Sequence, residues 1–248
     1  MKNTINWKLF WILTIVCTIA SLAVIPFQFA LIAESTDIPV SWWMLYLGTG
    51  VQSAILFSIV TFLGLLLASK VGFTLPVLEG ENKRDALKMI LTPSILWGLA
   101  CGAAISILNF AFGDLANTLL QIYTQTQVWQ GVLAIFYGGI AEEVLMRLFL
   151  VSLFAWILIK CRVSKNASIW IAIVISAVLF GLGHLPITAQ MVEITPIVVI
   201  RAVVLNGIGG LVFGWLYWKK GLESAMISHF VATGILNVIL PFAAGWFM

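Results

Sequence analysis

The sequence predicts an all-α protein, a polytopic bundle of transmembrane helices, and three observations carry that expectation. Of its 248 residues, 62% are hydrophobic and 9% charged, whereas a soluble domain holds about 25% charged residues. The apolar residues gather into seven runs, each near the roughly 20 residues that span a bilayer. Outside those runs, lysine and arginine fall only in alternate connections.

The runs cover residues 8–33, 42–69, 90–113, 129–159, 167–185, 197–218 and 224–247. The first follows Lys2 and Lys8. It exceeds the 7–15 residues of a cleavable signal core, so it is expected to be retained as a span. Glu34 and Asp37 follow it, and the longest polar stretch, 69–88, then carries Lys70, Lys83, Arg84 and Lys88 between the second and third runs. Gly72, Pro76 and Gly80 break that stretch. Asp114 follows the third run; Lys160, Arg162 and Lys165 separate the fourth from the fifth; Glu193, then Lys219 and Lys220, complete the alternation. The positive-inside rule therefore puts the N-terminus in the cytoplasm and the C-terminus outside a cell membrane, if seven runs span it. The fourth run is over-long, and a re-entrant eighth piece is the alternative.

Gly207, Gly210 and Gly214 give the sixth run a small-residue face suited to close helix packing. Arg201 lies on the same run after Pro196 and is read as snorkelling to the outer interface rather than meeting a substrate carboxylate. Tryptophans 42, 43, 129, 215, 218 and 246 near run ends read as interfacial anchors. Three scattered cysteines, Cys17, Cys101 and Cys161, do not suggest a disulfide framework. No CxxC or HExxH spacing occurs, so neither a metal site nor a cofactor is expected. The net charge of +3 is spread among the loops and points to no nucleic-acid partner.

The chemistry concentrates in the fourth run, where Glu142, Glu143 and Arg147 are the only charged side chains. A charge in hydrocarbon costs about 3 kcal/mol or more, so such residues are read as a functional site facing a cavity or another helix. Glu143 and Arg147, four apart, can pair on one face, leaving Glu142 as a free carboxylate suited to general-base work. Both histidines of the chain, His184 and His229, also fall in apolar runs. At 1.5 Å per residue, Glu142 and His184 each sit about 27 Å from the basic loop that joins their helices, a matching height. His229 sits about 14 Å from its own loop, and a hairpin protruding into the cytoplasm would bring the three level. From the residues alone, a structural charge network stands equal to a catalytic site.

These residues resemble a known family. Glu142-Glu143-Val-Leu-Met-Arg147 reads EExxxR, Phe180-Gly-Leu-Gly-His184 reads FxxxH, and His229 supplies a third motif in order. Together they resemble the CAAX proteases and bacteriocin-processing enzymes, the CPBP or Abi family, over roughly residues 126–240. The division expected is 1–125, helices without a family motif, and 126–248, a catalytic transmembrane domain. The resemblance implies an intramembrane glutamic endopeptidase that cuts a membrane-associated peptide or protein. Glu142 would activate a water, His184 would hold it, Glu143 and Arg147 would organise the site, and His229 would face the oxyanion. The family's last motif continues four residues on with Asn or Asp; here that position is Thr233, which keeps a hydroxyl donor, and Asn237 is the nearest asparagine. Asn237 would serve only if the helix broke at Gly234. Three alternatives stay open: a proton-coupled transporter, a catalytically silent scaffold or immunity protein, and a zinc enzyme with Glu142, His184 and His229 as ligands.

Overall fold

A computed structural model describes residues 5–32, 41–80 and 82–245. Lys2, Glu34, Asp37 and Trp246 lie outside them. The described chain is helical and contains no strand, a polytopic bundle as expected. Six helices are long and apolar enough to cross a membrane: Trp7–Ile32, Trp42–Val71, Lys83–Phe112, Lys165–Thr188, Pro196–Lys220 and Leu222–Gly245. The fourth expected run differs from these. It is one unbroken helical rod over residues 128–160, but its middle consists of π-turns, with i→i+5 hydrogen bonds, rather than α-helix.

The first span is α1 (Trp7–Ala23) and α2 (Ile25–Ile32), parted at Val24 just ahead of Pro26, whose missing N–H interrupts the ladder. Next, α3 (Trp42–Val71) ends at Gly72, whose φ of 91° closes the helix in the left-handed conformation that favours glycine. After it, α4 (Lys83–Asn109) starts on Asn82, which caps Asp85 N. A short helix not foreseen from the sequence, α5 (Asp114–Thr124), then turns its Leu119 and Tyr123 inward. The fourth rod runs through α6 (Val128–Phe136), π-turns over Tyr137–Glu142 and Val144–Val151, and α7 (Ser152–Lys160). It is followed by α8 (Lys165–Gly183), the single turn α9 (Leu185–Thr188) and α10 (Pro196–Lys220). The last span is α11 (Leu222–Gly234), a π-stretch Ile235–Ile239, and α12 (Leu240–Gly245).

Glycines set how closely these helices approach. A Cβ on Gly210 would lie 2.6 Å from Ala177 Cα, and one on Gly214 2.8 Å from Ile173, so α10 and α8 touch backbone to backbone. Gly207 faces open space and is not part of that seam; Gly181 of α8 takes its place, within 2.5 Å of Val203 Cα. Gly98 and Gly102 seat α4 on Ser228 and Ala232 of α11, and Gly64 seats α3 on Leu148.

At one end of the bundle, the turn at residues 75–80 is tied to α11. Glu223 Oε1 accepts hydrogen bonds from Val77 N (2.9 Å) and Leu78 N (2.8 Å), and Leu222 N donates to Thr74 O. Trp42, Trp43 and Trp129 are exposed, as anchors require, whereas Trp215 packs edge-on against Trp97 and Trp218 against Trp170. Cys17 and Cys101 are buried and Cys161 exposed, all three as free thiols.

Candidate active site

Glu142 and Glu143 occupy different worlds although they are neighbours. Glu143 is fully buried, while 19% of the Glu142 side chain is exposed, into a cavity of about 250 Å³ inside the bundle. Four of the six expected site residues, Glu142, His184, His229 and Thr233, line that cavity. Glu143 and Arg147 do not; they stand behind it.

Their arrangement is a buried chain of charge. Glu143 Oε1 meets Arg147 Nη1 at 3.0 Å and His229 Nδ1 at 2.7 Å. The arginine contact is off-line for a hydrogen bond, so it acts as a charge contact. The guanidinium is also held over the rings of Phe180 and Phe213, at 4.9 and 5.4 Å from their centroids, a favourable place for a desolvated cation. The expected Glu143–Arg147 pair is therefore present, with an unforeseen third member. His229 is that member, and Glu142 is not wholly free of it: Glu142 Oε2 lies 3.7 Å from His229 Nε2.

The tautomers follow from the partners. Phe180 O can only accept, so His184 Nδ1, 2.8 Å away, carries the proton there and leaves Nε2 with a lone pair. Likewise, an ionised Glu143 takes the Nδ1 proton of His229. The neutral His229 ring is then a base at Nε2, and only its imidazolium form can donate from that atom. Phe213 stacks on His229 at 4.6 Å and 22°, and Phe180 stands edge-on to both histidines. These two phenylalanines thus orient Arg147, His184 and His229 together. Phe180 was visible in the FxxxH motif; nothing in the sequence marked Phe213.

Gly138 is the floor of the arrangement. A Cβ there would lie 3.2 Å from His229 Nε2, 3.4 Å from Thr233 Oγ1 and 3.6 Å from Glu142 Oε2, so three polar atoms converge on one glycine. Its neighbour Gly139 instead admits the Phe230 ring, which a Cβ would overlap at 2.4 Å.

The helical heights also come out differently from the α-helical count. Between Glu142 and Lys160, eight residues are in π-turns, which use more residues per turn and so shorten the rise. Part of the apparent mismatch with His229 disappears for that reason. On the other wall, the helix widens directly after Gly234, and Asn237 lines the same cavity. Arg201, expected at the interface, lines the cavity too, and donates from Nε to Asn109 Oδ1 at 2.9 Å. Among the described residues, no three His, Cys, Asp or Glu side chains are gathered as a metal site would need.

Residues 124–235 match the family model described as Rce1-like, type II CAAX prenyl endopeptidase. Over this segment the chain is similar to the Rce1-like family. The match covers a little under half of the chain, contains Glu142, Glu143, Arg147, His184, His229 and Thr233, and stops before Asn237. It carries the coarse expectation of a peptidase within a multi-pass membrane protein. No curated protein and no solved structure matches the chain.

Proposed function

We propose that this Rce1-like chain is an intramembrane endopeptidase in which Glu142 activates the attacking water. The observation that supports this best is the division of labour between the two glutamates. Glu143 is consumed by Arg147 and His229, whereas Glu142 opens to the cavity beside His184, His229 and Thr233. In this reading the Glu142 carboxylate takes a proton from water as the water oxygen bonds to the scissile carbonyl carbon. His184 Nε2 accepts the water's other hydrogen and fixes its direction. His229, as imidazolium, and Thr233 donate to the oxyanion. The proton held by Glu142 then passes to the leaving nitrogen as the C–N bond breaks, leaving a carboxylic acid and an amine. Glu143 and Arg147 orient His229 without touching substrate. Residues 126–248 carry the chemistry and 1–125 support it. The substrate is a membrane-associated peptide or protein. The setting is a cell membrane, with the rod at 128–160 as a seventh span and the N-terminus on the cytoplasmic side.

The test is comparison of membrane proteomes from cells carrying the wild-type chain and Glu142→Ala at equal expression. New peptide ends seen only with wild type are the expected result. Matched proteomes, with a phenotype on gene deletion, would favour a silent scaffold, the reading to which Thr233 in place of Asn or Asp lends support. Cleavage abolished by a chelator would point to zinc, and dependence on an ion gradient to a transporter.

A further inference from the structure

The basic connections of the chain gather at one end of the bundle, and the Glu142 cavity belongs to the other. Three contacts bring the basic connections together. Lys70 Nζ, at the end of α3, lies 5.4 Å from the centre of the Trp156 ring on α7. A Cβ on Gly72 would meet Lys165 Nζ at 3.3 Å, and Leu222 N donates to Thr74 O. The links from α3 to α4, α7 to α8 and α10 to α11 thus form one end, with the lysines and arginines of 69–88, 160–165 and 219–220.

Three further contacts gather the opposite end. Gln130 Nε2 donates to Pro26 O at 3.2 Å, Tyr123 meets Phe27 edge-on at 5.9 Å, and Arg201 Nε donates to Asn109 Oδ1. The connections there, 110–127 and 189–195, carry Asp114 and Glu193 but no lysine or arginine.

The cavity runs from Phe213 and His229, inside the bundle, to both of those connections, where Leu119 and Leu120 of α5 and Met191 line it. Among the described residues, none that lines it comes from 69–88, 160–165 or 219–221. On the basic side the bundle is filled instead. Leu148, Ile169, Ile173, Leu216, Tyr217 and Leu222 are fully buried in one core cluster. On their helices they stand between the cavity and the basic connections, and packing of that density leaves no passage for water or a peptide. From Val128 to Glu142 the rod rises at most about 20 Å, a depth that about six residues of extended peptide cover. Because lysine and arginine collect on the cytoplasmic side of a membrane protein, the basic end is cytoplasmic and the cavity faces outward.

We propose that the Glu142 cavity is entered from the non-cytoplasmic side, and that the chain cuts segments already exported across the membrane. The cutting rests on the endopeptidase reading of Glu142; the side of entry is read without it. The test uses the full chain in sealed right-side-out and inverted membrane vesicles, with a small, membrane-impermeant sulfonated methanethiosulfonate as the probe. Cys161, exposed in the basic connection, is the reference thiol, while Cys17 and Cys101 are buried. Ser106→Cys, which exchanges one oxygen for sulfur on the cavity wall, reports on the cavity in a Cys161→Ser background. Asn206→Cys, on α10, stands in if that variant does not fold. In right-side-out vesicles the Ser106→Cys thiol is expected to react at least about tenfold faster than Cys161, and in inverted vesicles the order reverses, because a fixed charge does not cross hydrocarbon.

Faster reaction of the Ser106→Cys thiol in inverted vesicles would overturn the proposal. So would failure of both cavity thiols to react from either side. Cleavage is read separately, with random decapeptides added outside each kind of vesicle carrying the wild-type chain or Glu142→Ala. Cutting by the wild type in right-side-out vesicles alone is expected, and cutting confined to inverted vesicles refutes outward entry. Outward labelling with cutting in neither sinks the endopeptidase and leaves the outward cavity.

Discussion

His229 Nδ1 lies 2.7 Å from Glu143 Oε1, a contact that joins positions 86 residues apart, and Arg147 Nη1 reaches the same oxygen at 3.0 Å. One buried oxygen thus organises two cations or proton donors. The pair Glu143–Arg147 is nearly inaccessible to water, so neither member can be removed alone without stranding the other.

Arg147→Ala is accordingly expected to destabilise the protein by about 3–5 kcal/mol, the usual consequence of breaking a buried ion pair. Arg147→Met combined with Glu143→Gln should recover much of that loss, because no charge is then left unpaired. Thermal unfolding in detergent, read for the wild type and both variants, checks both statements. Equal destabilisation by the single and double variants would show that packing, not charge, sets the effect.

Glu142→Gln tests the base. Turnover of a cleaved peptide should fall by about 10²–10⁴-fold with folding unchanged, the range for loss of a general base. Peptide binding should be retained, so a loss of binding in parallel with turnover would assign Glu142 to substrate anchoring instead.

The adjacent glycines should separate activity from stability. Gly138→Ala puts a methyl 3.2 Å from His229 Nε2 and is expected to lower turnover by about tenfold to a hundredfold with little change in unfolding. Gly139→Ala drives into the Phe230 ring and should cost about 1–3 kcal/mol of stability. Activity and melting temperature of both variants, measured side by side, decide the matter.

Thr233→Val keeps the shape and removes the hydroxyl. If that hydroxyl faces the oxyanion, kcat should drop by up to about 10²-fold while KM holds. Asn237→Ala should have a smaller effect, since Asn237 joins the cavity only through the widened helix after Gly234. The reverse ranking would move the donor role to Asn237.

Glu223→Ala leaves the amides of Val77 and Leu78 without an acceptor and should loosen the turn at 75–80, at about 1–3 kcal/mol. Limited trypsin digestion at Lys83 and Arg84 should accelerate in this variant. Unchanged digestion would mean that the Leu222–Thr74 hydrogen bond holds the turn by itself.

The bundle and most residues of the candidate site could be read from the sequence because charge is so rare there. Glu142, Glu143, Arg147, His184 and His229 stand out against an apolar background, and Glu142, His184 and His229 line a common cavity. What escaped had no local signature. The π-turns at Tyr137–Glu142 and Val144–Val151 change the rise that residue counting assumes. The Glu143–His229 contact required knowing which face of the widened helix meets α11. Arg201 reads in the sequence as a snorkelling interfacial residue, and its partner Asn109 comes from a helix remote in sequence that no local pattern points to. Helix α5 lies in a mixed polar and apolar connection that announces no span.

The glycines that press α4 onto α11 have a bearing on how the protein is made. Gly98 and Gly102 belong to a helix that precedes Ser228, His229 and Ala232 in the chain, and their bare backbone gives α11 a close seat. Until that late helix docks, Glu143 lacks its contact with His229, and the cavity lacks the wall that carries His229 and Thr233. Docking of the last helix is thus the step that completes the cluster of Glu142, Glu143, His184, His229 and Thr233.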